Sequence, residues 1–572
     1  MPNTSPRRDD LRVAVILDEF SALSFDYEWS QCALTLKGWK EEIDSDRPDF
    51  LFVESAWSGN GGAWKYQLTG ENGPKPEFRQ LLEYSRSLGV PTVFWNKEDP
   101  PHYDDFLEAA KLFDFVFTSD SDQLPRYRRD LGHGNLGVLQ FAAQPAIHNP
   151  IRPANGWHDR DVAFAGMYFV HKYPERREQL TLLLAAAEEA TAQRPHGLEI
   201  FARHAGRDVN YQFPAPYNKR VVGALSYGQM LSAYKAYKVF LNANSVVESP
   251  SMCARRIFEI TAAGATVVST PSRALELMWP SDEQYIVRSQ DEARETLAAL
   301  IRNPALSDRQ LHRAQRRIWA EHTYSHRAES VISAALPSRS QPIKRPLVSL
   351  LVATMRPHQL EHVFRTVGSF VGVDVELVLV PHGFSVPGAR IKRLAERYGV
   401  ENLTLAEQPG SVSLGECLNA AVTASSGAVL SKMDDDDFYA PHYLEDLLNA
   451  LKYSGAELVG KKAHYVQVVA RNATLIRYEN SEHVFTNSVM GPTITAPREV
   501  FESNPFLPIG RGEDTQFLRS IRASGGLIYS ADRYNYCQVR GGGDHTWKIS
   551  DSSIIASGDI QLFGSFEEHI VI

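Results

Sequence analysis

Four consecutive carboxylates, Asp434-Asp435-Asp436-Asp437, stand directly behind the apolar run Ala428-Val429-Leu430-Ser431-Lys432-Met433. The run has the length and burial of an interior strand, and Pro441 with Tyr443 to Leu451 opens a helix after it. The acidic residues therefore fall at the carboxyl end of a strand, where open α/β sheets bind ligands. Four adjacent negative charges repel one another, so an ordered chain keeps them together only when positive charge is close by. Carboxylate oxygens suit hard Mg²⁺ or Mn²⁺, ions that also hold phosphates.

The rest of the chain repeats the strand-helix alternation. Val13 to Leu17, Phe50 to Val53, Pro91 to Trp95 and Phe115 to Phe117 are short apolar runs separated by amphipathic stretches such as Glu77 to Leu88. This βαβα pattern predicts a largely parallel sheet. Pro145 to Trp157, with three prolines, Asn149, Asn155 and Gly156, interrupts it. A second alternation follows, with strands near Val162-Ala163-Phe164, Glu199-Ile200-Phe201, Val239-Phe240-Leu241 and Thr266-Val267-Val268, then helices from Gln290 to Ala335. Pro337 to Pro346 is a proline, serine and basic linker, and Leu347 to Ala353 opens a third α/β unit. The expected domains are 1–150, 151–337 and 346–572.

At 572 residues, 43% hydrophobic and 23% charged, the chain has ample material for several cores. No stretch gives about 18 uninterrupted apolar residues, and the N-terminus lacks an apolar signal region, which leads to an expected cytoplasmic location. A net charge of −9 with dispersed basic residues argues against nucleic acid as a partner. Cys32, Cys253, Cys417 and Cys537 have no metal-ligand spacing and read as small buried hydrophobes.

Two further segments belong with the acidic run. Gly510-Arg511-Gly512-Glu513-Asp514-Thr515-Gln516 sets an acidic pair at a helix start, where a carboxylate could take a proton from a sugar hydroxyl. The same charge would also satisfy the helix macrodipole. Arg540-Gly541-Gly542-Gly543-Asp544-His545 combines close-approach glycines with an imidazole able to complete a metal shell. Strand, acidic run, Glu-Asp pair and distal histidine, in that order, resemble the family 2 glycosyltransferases of the GT-A fold. The resemblance spans Leu347 to Trp547 and includes the helix Ser413 to Ala421.

That resemblance implies Asp434 on the nucleotide, Asp436 as the metal-binding aspartate and Asp437 beside the sugar. It implies Asp514 as catalytic base with Glu513 next to it, His545 as a late metal or diphosphate ligand, and Thr354, Asp435 and Arg540 as further donor contacts. The family's acidic pair after the second strand is replaced here by Val380-Pro381-His382-Gly383.

In the N-terminal half, Leu241-Asn242-Ala243-Asn244 and Arg255-Arg256-Ile257-Phe258-Glu259 lead through Ala263-Gly264 to a buried strand. Backbone amides and Glu259 could meet a nucleotide there, or the segment is a tight helix-to-strand corner. With Val162 to Gly166 before it and His322 to Arg327 after it, it resembles the spore-maturation-protein-like glycosyltransferases, which implies two Rossmann-like domains in a GT-B pair. In those enzymes the residue at Glu259 binds the donor ribose and that at Arg256 faces the diphosphate; many carry a second Glu where this chain has Ser251. Glu98 or Asp99 could be a base on the acceptor side, or polar residues of a strand-end loop. Gly59 to Lys65 lacks the spacing of a phosphate-binding loop.

The resulting expectation is an α/β chain, GT-B-like then GT-A-like, that transfers sugars from nucleotide-diphosphate donors, UDP-sugars foremost, with Mn²⁺ or Mg²⁺. The acceptor would be a glycan or lipid-linked glycan, reached in the cytoplasm or at the inner membrane face. The alternatives are a catalytic C-terminal module beside an N-terminal binding scaffold, and a nucleotide-binding regulator that uses neither site.

Overall fold

The computed structural model describes residues 5–70, 73–541 and 549–572. The chain divides into two compact units, Met1–Ile343 and Lys344–Ile572. The first unit begins with strands β1 (Arg8–Ile16), β2 (Trp29–Ala33), β3 (Phe50–Glu54), β4 (Thr92–Asn96), β5 (Phe115–Thr118) and β6 (Leu136–Val138). They form one parallel sheet in the order β2-β1-β3-β4-β5-β6. Every residue of β3 and of β4 is buried, as a sheet covered by helices on both faces requires. The crossover helix Pro76–Ser87 shows how the covering works. Proline occupies its first turn, and Phe78, Leu81, Leu82 and Ser85 make one buried stripe at helical spacing.

A second parallel sheet contains β7 (Arg160–Ala165), β8 (Leu198–Phe201), β9 (Val221–Gly223), β10 (Tyr237–Asn242), β11 (Thr266–Ser269) and β12 (Tyr285–Ile286). Its order is β9-β8-β7-β10-β11-β12. The chain leaves β7 toward one edge and returns at β10 toward the other. Helices therefore diverge at the carboxyl ends of β7 and β10 and leave a crevice there. The helix Tyr324–Ala335 then rejoins the first sheet's layer, where Tyr324 meets the Phe25 ring edge-on at 4.9 Å and Ser325 Oγ donates to Glu28. Arg8 to Glu329 (3.0 Å) and Arg339 to Asp49 (2.5 Å) hold the return.

The second unit continues with β13 (Val348–Thr354), β14 (Val375–Pro381), β15 (Asn402–Leu405), β16 (Val429–Lys432), β17 (Phe438–Tyr439), β18 (Leu458–Gly460), β19 (His464–Val468), β20 (Ala473–Arg477), β21 (Val484–Thr486), β22 (Thr495–Pro497), β23 (Ile528–Ser530), β24 (Tyr536–Arg540) and β25 (Asp559–Phe563). A mixed sheet runs β15-β14-β13-β16-β22-β18-β23-β21, and a smaller one runs β17-β24-β19-β20-β25. Strands β15, β14, β13 and β16 are parallel, while β22 opposes both β16 and β18. The four aspartates form the turn between β16 and β17, at the carboxyl edge of the parallel half. Among the described residues no helix is long and apolar enough to cross a membrane.

The Glu513–Ala523 helix is approached through Leu507 to Ile509, which rests on the helix Leu414–Ala424. Gly415 N donates to Ile509 O, and a Cβ on Gly415 would lie 1.9 Å from the Leu507 carbonyl oxygen. Both partners are backbone, so nothing flexible can give way. Gly415→Ala is expected to cost the second unit about 1–3 kcal/mol through overpacking, read in a urea titration as an earlier transition of that unit.

Candidate functional site

In the first unit two arginines converge on the crevice. Arg176 stands in the first turn of the helix Pro174–Ala190 after β7, and Arg256 in the first turn of the helix Arg255–Ala263 after β10. Arg176 is 5% exposed; its Nη1 donates to the Ala243 carbonyl and reaches Ser245 Oγ at 3.3 Å. Burial, with the Arg256 charge adding to it, pushes the Arg176 guanidinium down to about 9, and burial also lowers Arg256. Among the described residues neither pairs with a carboxylate, and Arg176 Nε and Arg256 Nη1 have no hydrogen-bond partner. Two like charges thus stand at two helix N-termini with no carboxylate in ion-pair contact, Glu259 acting on Arg256 only at longer range, so the crevice favours an anion. Asn242, Asn244, Gln179 and Thr270 form its hydrogen-bonded floor.

Glu259, for which the sequence resemblance implies a ribose contact, is enclosed by side chains of the first unit. Its side chain is 0% exposed, and both oxygens are occupied: Tyr227 Oη donates at 2.8 Å, Tyr234 Oη at 3.0 Å and Arg255 Nη1 at 2.5 Å. Burial works against its charge, yet Arg255, His148 and Tyr227 together outweigh burial and hold the carboxyl below its usual range. The Arg255 guanidinium also lies 4.0 Å from the Phe20 ring centroid, and Lys97 Nζ lies 4.3 Å from the same ring. Lys97 pairs with Asp18 (2.5 Å) and Glu54 (2.9 Å). These contacts join the carboxyl ends of β3 and β4 to the helix after β10. Ser251 has a structural task too. Its Oγ donates to Ser119 O (3.0 Å) and accepts from Ser121 N (2.8 Å), tying the second sheet's loops to the first's.

Asp99, a candidate base by sequence, lies in the interior. It is fully buried and accepts from Asn96 Nδ2 (2.8 Å), Thr118 Oγ1 (2.5 Å) and Tyr127 Oη (3.0 Å); burial pushes its carboxyl up to about 7. Glu98 is half-buried, its backbone N–H donating to Ser55 Oγ at 3.2 Å.

In the second unit the positive charge demanded by the acidic run comes first from the chain itself. Arg356, two residues beyond β13, donates to Asp436 Oδ2 at 2.6 Å and to both oxygens of Asp435, through Nε at 3.1 Å and through Nη2. Thr354 is buried and donates its hydroxyl to Asp435. Lys432 Nζ lies 2.7 Å from Asp514 Oδ2 and 3.3 Å from Asp434 Oδ1. Burial alone would lower this ammonium, but the two carboxylates outweigh burial and hold it above its usual value.

Asp437, expected beside the sugar, is buried. It accepts from Tyr536 Oη (2.7 Å) and Val539 N (3.0 Å), and burial, with Asp434 and Asp436 repelling it, pushes its carboxyl up. Glu513 is likewise buried, and burial raises its carboxyl. Asp434, Asp436 and Asp514 keep side-chain exposures of 39%, 18% and 21%. Asp514 Oδ1 has no hydrogen-bond partner among the described residues, and a Cβ on Gly491 would strike its carboxylate at 1.9 Å, so glycine there makes the space for it. Arg540 ends β24, half-buried; His545 lies outside the described residues.

Partly exposed carboxylate oxygens on Asp434 and Asp436 fit a hard divalent cation by donor type. Among the described residues the run does not by itself gather three ligand oxygens within 4.8 Å of one another, because Arg356 and Thr354 hold Asp435 aside. Sequence reading missed Arg176, Arg356 and Lys432. Lys432 had a local signal, a cation at the last position of the strand that ends in four aspartates. The other two had none, because their partners are distant in sequence.

Residues 176–333 match the glycosyl transferase-like family. The match lies within the first unit, begins at Arg176 and encloses Arg256. No curated protein sequence matches the chain. Among solved structures, a mannosyltransferase, PcManGT from Pyrobaculum calidifontis, in complex with GDP-Man and Mn²⁺, overlaps 36% of this chain and 60% of its own at 21% identity and a TM-score of 0.29. S. aureus TarS residues 1–349 in complex with UDP-GlcNAc overlaps 36% and 62% at 15% identity and a TM-score of 0.29. The chain spans about three fifths of each of these proteins, and superpositions this partial support no inference about it.

The raised Asp99 carboxyl has a pH consequence. Between about 4, the value in an unfolded chain, and about 7, the folded protein keeps a proton that the unfolded chain releases. The associated stability is complete below that window and drains away as pH rises through it. Scanning calorimetry is expected to show a flatter melting temperature of the first unit between pH 4 and 7 for Asp99→Asn than for wild type.

Proposed function

We propose that this protein is a glycosyltransferase using nucleotide-diphosphate sugars, UDP-sugars foremost, with a donor site in each unit. The observation that carries the reading is the unneutralised Arg176 and Arg256 pair inside the segment that matches the glycosyl transferase-like family. A diphosphate carries the charge this pair lacks, and the flanking helix N-termini favour it further. Departure of a nucleoside diphosphate from an anomeric carbon builds negative charge on its phosphates, and preorganised guanidiniums stabilise that charge without a proton. Arg255 and Glu259 act here as positioning residues. Their mutual bond and the Phe20 contact fix the first turn from which Arg256 projects.

For the second unit the reading is a GT-A-like, inverting transferase. Asp514, 21% exposed and given room by bare Gly491, is the residue that would accept the acceptor's hydroxyl proton as that oxygen attacks from the face opposite the leaving diphosphate. Lys432 Nζ, 2.7 Å from its Oδ2, orients the Asp514 carboxylate. Asp436, with His545, would hold Mn²⁺ or Mg²⁺, which supplies positive charge beside a diphosphate when bound, and Asp434 would contact the nucleotide. Thr354, Asp435 and Arg540 belong to the donor side in this reading, and the acceptor is a glycan or lipid-linked glycan.

A second reading keeps catalysis in the second unit and makes the first a glycan-binding or assembly scaffold. Glu259, closed off by three donors, and Ser251, committed to the Ser119–Ser121 loop, favour it.

Two measurements test these proposals. In titration calorimetry with UDP and GDP, Arg176→Ala and Arg256→Ala should each weaken binding to residues 1–343 about 10–100-fold, the cost of a hydrogen bond to a charged group; unchanged affinity would sink the first donor site and favour the scaffold. With UDP-GlcNAc and GDP-mannose offered in turn, Asp514→Asn should cut sugar transfer about 10²–10⁴-fold, by mass spectrometry of products. Transfer at the wild-type rate would refute the second site.

A further inference from the structure

The eight-stranded sheet of the second unit ends on β21, and beside it lies a cavity of about 620 Å³ to which neither site above assigns a role. Its wall includes Phe485, Asn487, Ser488, Lys462, Arg522 and Gly526. Phe485 is 44% exposed and is steadied edge-on by Tyr529 at 5.5 Å, so an aromatic surface stays open to solvent. Lys462 Nζ is aimed along the wall by its bond to Ser488 Oγ (2.8 Å) and by the Tyr478 ring, 4.5 Å away. Arg522, in the last turn of the helix Glu513–Ala523, pairs with no carboxylate among the described residues. None of the residues lining the cavity is acidic. At Gly526 a Cβ would meet Ile521 Cγ2 at 2.7 Å, so bare backbone closes that side, with the Gly525, Gly526 and Leu527 N–H groups donating to Arg522 O, Ile521 O and Glu457 Oε2.

An open ring, two cations, a side-chain amide and a hydroxyl are what an acidic sugar chain requires. The ring covers the apolar face of a pyranose, the cations meet its carboxylates, and the polar groups serve its hydroxyls. The cavity is also linked to Asp514 by two walls of matching length. Along the helix, Asp514 and Arg522 are eight residues apart, about 12 Å. On the facing segment, Asn487 lies four residues from Gly491, a reach of at most about 14 Å, and Gly491 is the glycine that abuts the Asp514 carboxylate. The helix and the segment run in opposite directions between the same two points.

We propose that this cavity is an acceptor subsite that holds an acidic saccharide segment, uronate-bearing rather than neutral, while a sugar further along the same chain reaches Asp514. The proposal rests on the reading of Asp514 as the base of a sugar transfer, and its test is a binding measurement that does not need transfer to occur.

The full-length protein is titrated with a tetrasaccharide of alternating glucuronate and N-acetylglucosamine, and with the neutral N-acetylglucosamine tetramer, by calorimetry and saturation-transfer NMR. Wild type should bind the acidic chain at least about tenfold more tightly than the neutral one, the scale of one charge-assisted contact. Arg522→Ala and Phe485→Ala should each weaken the acidic chain about tenfold with unchanged melting temperature, and Leu527→Glu on the rim, 51% exposed, should weaken it by repulsion. Asp514→Asn should leave this binding intact while stopping transfer. No binding by wild type, equal affinity for the two tetrasaccharides, or binding by both Arg522→Ala and Phe485→Ala at the wild-type level would overturn the subsite. Undiminished transfer by Asp514→Asn with binding retained would instead remove the base assignment and leave the cavity as a saccharide site.

Discussion

The Lys432 ammonium, buried between Asp434 and Asp514, is the contact on which the second unit's arrangement depends. It sits at the last residue of β16 and joins two carboxylates that are 80 residues apart in the chain. Removing a charge from water is costly unless an opposite charge is close, so this pairing constrains where the Glu513–Ala523 helix can dock. Docking there needs Gly491 to be bare and Gly415 to admit the Leu507 carbonyl, because either Cβ would occupy the space of an existing atom. Arg356 does the corresponding work on the other side of the acidic run, holding Asp435 and Asp436. The four aspartates are therefore divided among two cations, a threonine and a tyrosine rather than presented as one cluster.

The first unit solves the opposite problem. Its crevice keeps two guanidiniums, Arg176 and Arg256, with hydrogen-bond donors unused among the described residues, while the neighbouring Arg255 is fully matched by Glu259 and by the Phe20 and Tyr227 rings. Neighbouring arginines on one helix thus have different tasks: one holds the structure together and one is left with charge to spare. A surplus positive site in the first unit and a largely neutralised acidic site in the second respond to different chemistry, and each can be probed by its own substitutions.

Much of this was legible in the residue order. The strands with continuous apolar runs stand where the runs are, because a residue buried on both sheet faces must be apolar at every position. Edge strands were less legible: β2, β6, β9 and β12 are short and half-exposed, so nothing in their composition separates them from loops. The acidic run, Asp514 and Arg256 were visible as candidates because each combines a charge with a strand end or helix start. The roles of Glu259, Asp437 and Asp99 were not, since a carboxylate facing a ligand and one facing buried hydroxyls are spelled the same way. Only Tyr227 and Tyr234, Tyr536, and Thr118 with Tyr127, brought in from elsewhere, distinguish them.

By itself the sequence determined the α/β alternation and the position of the charged residues at the ends of strands, because hydrophobic period and turn chemistry are local properties of the chain. Only the tertiary structure decided which charges are spent on one another. Arg356 reaches across 79 residues to Asp435, Lys432 across 82 to Asp514, and Arg176 across 67 to the Ala243 carbonyl. Electrostatic pairing depends on distance in space and on exclusion of water, neither of which is written in the order of residues, so the acidic run announced a need for positive charge without saying that an arginine and a lysine of the same chain would meet it first.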